Sequence, residues 1–279
     1  MKLYLVGADE KLYDTLEEFG IQHLLISFAA IPKRKPWKFD RRFKWFLDSG
    51  AFTAMTTGHQ IRLHDYIRYV QEHQDELELY ANLDVIGDAK GTYENQQAME
   101  KVGLNPLPAY HYGEDLTYLQ MYCSTHEYIA LGGVAGRNWT YQRWEDWYRE
   151  VFAFFPHQKF HAFGVTSPYI LARFPFYSAD SAAWIRTDIY GAVLTPWGGY
   201  SASERTRDKP DHLLNLTGHE GEMVRQWLQD EHSLTPEHLI EDPALRTRLN
   251  LKWFAEFERD YKPPSLELYQ PPLIPLEEE

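Results

Sequence analysis

Short apolar runs recur along the chain, each closed by a turn residue or by an amphipathic stretch. They are LYLVGA (3–8), HLLISFA (23–29), KWFLDSG (44–50), LYANLDVIG (79–87), LPAYHYG (107–113), EYIALGG (127–133), FHAFGV (160–165) and FPFYSAD (174–180). Runs of this length, rich in β-branched and aromatic residues, read as buried strands. Between most of them lie segments with helical spacing: LYDTLEEFG, LHDYIRYVQEHQDEL, TYENQQAMEKVG, DLTYLQMYCSTH and YQRWEDWYREVFAFF. Strand and helix in alternation imply a parallel sheet. Eight strands within the first 180 residues predict an α/β fold, a (β/α)8 TIM barrel, with a doubly wound open sheet as the competing arrangement.

Beyond residue 190 the alternation fades. LTPWGGYSASERTRDKPDH reads as a loop over the barrel mouth or an insertion. GHEGEMVRQWLQDEH and TPEHLIEDPALRTRLNLKWFAEFERDY read as helices, the latter with Thr235-Pro236 as a start signal. The expected organisation is one domain: residues 1–190 as the barrel core, 191–265 as a C-terminal helical extension completing or covering it, and 266–279 as a proline-rich acidic tail.

The polar residues concentrate where the apolar runs end. Those ends carry Asp48, Asp84, His111 with Tyr112, Gly132 with Gly133, Gly164 and Asp180. In a barrel, residues at the C-terminal strand ends converge on one mouth, which is where such folds place their active sites. Asp180 stands out, because Asp is depleted in strands and this one has only Ser178, Ala179, Ser181, Ala182 and Ala183 around it. Any single strand-end Asp is as readily a turn or helix cap, and a glycine pair is as readily an ordinary turn. Three carboxylates at strand ends point to oxygen ligation of a metal or to glycosyl chemistry, with one Asp as nucleophile and another as general acid/base. No Asp-x-Asp or His-x-His spacing at these ends favours the metal.

Composition narrows the partners. Cys123 is the single cysteine, which excludes a disulfide framework and a thiolate zinc site. A reducing, cytoplasmic location follows as an expectation, and no apolar run approaches the roughly 20 residues of a membrane span. MKLYLVGADE has too short an apolar stretch for a secretory leader. The net charge of −13 argues against indiscriminate attraction to nucleic acid. One segment opposes that average: PKRKPWKFDRRFKW (32–45) carries Lys33, Arg34, Lys35, Lys38, Arg41, Arg42 and Lys44 among four aromatic residues. It reads either as a solvated charged loop or as a phosphate-contacting arm with aromatic platforms.

Taken together, FLDSGAF (46–52), ANLDVIGD (81–88), AYHYG (109–113), IALGGVAG (129–136), HAFGV (161–165) and YSADSAAWIR (177–186) resemble, in order and approximate spacing, the motifs of tRNA-guanine transglycosylases. The likeness covers most of residues 44–186. It implies a (β/α)8 barrel that exchanges guanine through a covalent aspartyl-sugar intermediate. On that resemblance Asp180 is the nucleophile, followed by Arg186 where the family also has an arginine, and Asp48 is the general acid/base. Asp84 would recognise the amino and ring N–H edge of guanine, and Gly132 and Gly133 its carbonyl. Tyr112, beside His111, falls near a base-holding glutamine, and Phe163-Gly164 near residues that stack on the base.

Two departures matter. Ala51 replaces the second glycine of Asp-Ser-Gly-Gly, and a chain with one cysteine cannot build the family's zinc site. The zinc-less pattern is most similar to the DNA-guanine transglycosylases of phages and bacteria (the DpdA family). This implies DNA as partner, a free 7-deazaguanine base as co-substrate, no cofactor and no metal. The location would be the host cytoplasm if the chain is phage-encoded, with a partner protein giving access to DNA. Lys33, Arg34, Lys35, Arg41, Arg42, Arg186, Arg205 and Arg207 are then the candidate polynucleotide contacts. The competing expectations are the same exchange on tRNA, a nucleoside or glycoside hydrolase on the same barrel, and a non-catalytic barrel that binds nucleic acid.

Overall fold

The structure is a computed structural model that describes residues 1–31, 37–58, 60–134, 140–165 and 167–264. All eight expected strands form, each shorter than its apolar run: β1 (Lys2–Val6), β2 (His23–Ser27), β3 (Lys44–Asp48), β4 (Leu77–Tyr80), β5 (Ala109–His111), β6 (Tyr128–Gly132), β7 (Lys159–Ala162) and β8 (Ser178–Ser181). They make one eight-stranded sheet in the order β4-β3-β2-β1-β8-β7-β6-β5, parallel at every pairing. The first and last strands of this sheet in chain order, β1 and β8, are therefore neighbours, with Tyr4 opposite Asp180. At the two outer strands, a parallel bridge joins Ala81 to Leu107. There Leu107 N–H donates to the Tyr80 carbonyl (2.8 Å) and Asn82 N–H to the Leu107 carbonyl (3.0 Å).

Helices form in the five segments that the periodicity predicts, and two short ones, after β3 and after β7, are additional. They are α1 (Tyr13–Glu18), α2 (Ala51–Thr57), α3 (Leu63–His73), α4 (Ala89–Lys101), α5 (Leu116–Thr125), α6 (Tyr141–Phe154) and α7 (Pro168–Leu171). Side-chain oxygens start several of them: Asp88 accepts from Gly91 N–H, Asp115 from Thr117 N–H and Thr140 from Arg143 N–H. Inside the sheet, Tyr4, Leu25, Phe46, Ala81, Leu107, Ala109 and Ala130 form one buried cluster, with Phe163 packed against it.

The chain resolves into two compact units. The first holds the described residues of 1–8, 22–181 and 261–264, and so contains the whole sheet. The second comprises Asp9–Ile21 and Ala182–Asp260. Within it, the first part of the segment expected to be a loop or an insertion lies in an antiparallel hairpin, β9 (Ala192–Thr195) and β10 (Gly198–Ser201). The Gly-Gly at 198–199 had read as loop composition, but Val193 and Tyr200 alternate inward onto a core with Leu213, Val224, Leu228, Leu239 and Leu249. This unit also contains α8 (Ala183–Ile189), α9 (Gly218–His232), α10 (Pro236–Glu241) and α11 (Pro243–Asp260). Buried Arg246 on α11 donates to the Leu239 carbonyl (2.6 Å), satisfying the end of α10. Among the described residues, no helix is long and apolar enough to cross a membrane. Of the expected tail, residues 266–279 lie outside the described residues.

Candidate active site

The strand ends bring the predicted acids into one electrostatic neighbourhood. β3 ends on Asp48 and turns directly into α2 through Ser49-Gly50. Gly50 has φ +84°, and a Cβ there would lie 2.5 Å from Ala29 Cβ and 2.7 Å from Ser27 Oγ, so the turn requires glycine. The Gly50 N–H donates to Asp48 Oδ2 (3.0 Å). The Ser49 hydroxyl donates to Asp84 Oδ1 (2.6 Å), tying the turn after β3 to the segment after β4.

Burial pushes the Asp48 carboxyl up to about 7, and the charges of Asp84 and Asp180 add to it against the opposing Gly50 N–H. Asp48 is thus poised to hold or release a proton near neutrality, as a general acid/base must.

Asp84 has a second partner, His111 Nε2 at 3.0 Å. The other ring nitrogen, Nδ1, lies 3.1 Å from Glu114 Oε1, and the His111 backbone N–H donates to Glu114 Oε2 (2.8 Å). Burial opposes charge on this ring, but the hydrogen-bonded carboxylates outweigh it and hold its pKa up at about 10. His111 is therefore an imidazolium between two carboxylates. A Cβ at Gly132 would meet His111 Cδ2 at 2.7 Å, so that glycine of the pair makes room for the ring.

One stability prediction follows. His111→Leu leaves Asp84 and Glu114 buried without their counter-charge and is expected to cost about 3–5 kcal/mol at pH 7, read by urea unfolding. Because the folded pKa lies above the ordinary 6.5, the stabilisation is complete below pH 6.5 and fades as pH rises toward 10. A leucine variant as stable as the parent at pH 7 would contradict this charge assignment.

Asp180 lies inside β8, in a strand that begins only at Ser178. The aromatic run Phe174–Tyr177, which reads as strand, precedes it; Phe174 and Phe176 pack instead against Phe152 of α6. Asp180 Oδ1 accepts from the Gly164 N–H (2.8 Å) and faces His161 Nε2 at 3.2 Å. Of the small neighbours, Ser178, on the same face by alternation, contacts His161 Nδ1 (2.5 Å) and the Tyr128 hydroxyl, while Ala179 and Ser181 are fully buried on the opposite face.

The remaining predicted residues fall in several places. Phe163 stacks on Phe46 (centroids 5.8 Å) and meets the His161 ring edge-on (4.7 Å). Tyr112, next to inward-facing His111, turns its ring to α6, where Trp147 lies 5.4 Å away and Arg143 donates to its hydroxyl (3.3 Å). Of the basic run, Arg41 is exposed and Arg42 is bound to Asp40 (2.9 Å). Phe39, Phe43 and Trp45 are buried, so these rings are core rather than stacking platforms. Lys33, Arg34 and Lys35 lie outside the described residues. Arg186, Arg205 and Arg207 belong to the second unit, where Arg207 pairs with Glu204 (3.0 Å).

His161, Glu114, Ser49, Ser178 and Tyr128 are not among the predicted site residues. A signal for two of them exists: His161 and Ser178 each precede a predicted site residue, Phe163 and Asp180, by two positions, which in a strand is the same face.

Fold and site together define a class: an α/β protein whose parallel sheet carries coupled carboxylates at the C-terminal ends of its strands. No protein-family model matches the chain, and no curated protein matches it in sequence.

Proposed function

We propose that the chain is a guanine transglycosylase that exchanges guanine in DNA for a 7-deazaguanine base, on a sheet closed as a (β/α)8 barrel. The β1–β8 pairing and the bridge between Ala81 and Leu107 support the closure. The observation that carries the chemistry is the contrast between two neighbouring acids: Asp48 is pushed up to about 7, while Asp180 is held by a backbone N–H and a histidine. Carboxylates in divergent environments divide into acid/base and nucleophile. Guanine as the base and DNA as its carrier rest on the motif resemblance.

In this reading the Asp180 carboxylate attacks the anomeric carbon, and the bond from that carbon to the guanine ring nitrogen breaks. Asp48 gives its proton to the departing nitrogen and guanine leaves neutral. The incoming 7-deaza base loses its ring proton to Asp48 and attacks the same carbon from the face guanine left. The ester to Asp180 breaks, and two inversions retain the configuration. Asp84, fixed by Ser49 and His111, offers its remaining lone pairs to the N–H donors of the base. Stacking hides the glycosidic carbon in duplex DNA, so the target nucleotide is flipped out or single-stranded.

The test is incubation with labelled guanine and, separately, DNA and tRNA. Label is expected to enter DNA. Label entering only tRNA would move the substrate to RNA, and release of free base without incorporation would make the chain a hydrolase.

A further inference from the structure

Behind Asp180 a line of hydroxyls and an imidazole runs back across the sheet interior. The Tyr128 hydroxyl, at the start of β6, contacts Ser178 Oγ; Ser178 Oγ lies 2.5 Å from His161 Nδ1; His161 Nε2 lies 3.2 Å from Asp180 Oδ1. Ser178 and His161 are fully buried. Tyr4 and Phe46 pack edge-on against the His161 ring, at 6.1 and 5.0 Å, with Phe163 on a further side. The ring therefore cannot turn without disturbing the core.

Donor and acceptor bookkeeping gives the line a direction. The Gly164 N–H already donates to Asp180 Oδ1, so that oxygen is an acceptor and His161 Nε2 must carry a hydrogen. Ser178 Oγ accepts from the Tyr128 hydroxyl and is left to donate to Nδ1, so the ring carries its hydrogen on Nε2. Every hydroxyl and ring nitrogen of the line is then satisfied. Among the described residues, both bonds to Asp180 fall on Oδ1 and none on Oδ2.

We propose that His161 is the positioning residue of the nucleophile: locked by Ser178 and Tyr128 in the tautomer with hydrogen on Nε2, it holds Asp180 Oδ1 so that Oδ2 is presented to the sugar. This rests on Asp180 being the nucleophile. His161 touches no substrate and exchanges no proton during the reaction. It fixes the geometry of attack, and later it stabilises the carboxylate as the ester breaks.

Two measurements test it, one without catalysis. In the folded protein, nitrogen NMR of the His161 ring is expected to show hydrogen on Nε2 and a bare Nδ1, with Ser178→Ala allowing the second tautomer to appear. A ring protonated on Nδ1 alone, or unaffected by Ser178→Ala, would overturn the locking. In single-turnover exchange, His161→Phe keeps the ring shape but loses the donor. It is expected to slow covalent adduct formation about 100-fold with KM changed less than about 3-fold. His161→Gln, which returns an N–H near the Nε2 position, is expected to recover at least about tenfold of that loss. Equal losses in Phe and Gln variants of unchanged thermal midpoint, or a loss confined to KM, would reject positioning. If the parent chain performs no exchange while the tautomer is as stated, the functional reading fails and the lock stands.

Discussion

Asp180→Asn is expected to reduce base exchange by about 10⁴-fold or more, because no other group stands in for a lost nucleophile. Asparagine is the informative replacement. Its side-chain carbonyl can still accept from the Gly164 N–H and from His161, so the buried donors stay satisfied and the loss is chemical. Alanine leaves both donors without their acceptor, a cost of about 1–3 kcal/mol that would mix stability with activity. Exchange is read as labelled guanine entering DNA, alongside a thermal unfolding midpoint expected to move little in the asparagine variant. An Asp180→Asn protein that still exchanges would remove Asp180 from the chemistry.

Asp48→Asn is expected to lower exchange about 10²–10⁴-fold, the range for loss of a general acid/base, and to change how the protein responds to pH. In the parent chain Asp48 keeps its proton to about pH 7, against an ordinary value of 3.8. Between those limits the folded state holds a proton that the unfolded state has released. Stability therefore falls as pH rises through this window, and above about 7 the contribution is constant. Since Asp48 is partly open to solvent, the expected total is roughly 2–3 kcal/mol, below what the shift alone would give. The asparagine variant lacks this decline, so the stability difference, variant minus parent, should grow from pH 4 to 7 and then level off in urea unfolding. A difference that stays flat across this window would mean that Asp48 titrates as an ordinary carboxyl. The His111 contribution, which changes between pH 6.5 and about 10, is common to both proteins and drops out of the difference.

The sheet is legible because burial on both faces writes most parallel strands as nearly continuous apolar runs, and each of the eight runs overlaps a strand. The boundaries were less legible. Phe174 to Tyr177 has the composition of a strand, yet it packs on α6 and the strand is the small-residue stretch Ser178–Ser181. The hairpin at 192–201 was hidden for the opposite reason, since Trp-Gly-Gly-Tyr reads as loop until its alternation finds a core.

In the site, Asp48, Asp84 and Asp180 stood out as acids closing or interrupting apolar runs. Their partners did not. Glu114 lies beyond the end of β5 and looks like any loop acid; what marks it is a bidentate hold on His111 from three residues away. His161 sits among Phe160, Ala162 and Phe163, where a histidine reads as a packed ring. Its meaning comes from Ser178 and Asp180, two positions on the neighbouring strand that no local pattern links to it. On the resemblance Gly132 contacts a base carbonyl, while the structure shows a nearer demand, space for the His111 ring.

The most direct measurement is mass spectrometry of the protein quenched during single turnover with a guanine-containing oligonucleotide and no incoming base. The expected result is one oligonucleotide joined through its sugar to the peptide that bears Asp180, absent from the Asp180→Asn protein. An adduct mapped to Asp48, Asp84 or any other residue, or no adduct from a protein that does exchange once a base is supplied, would contradict the covalent mechanism.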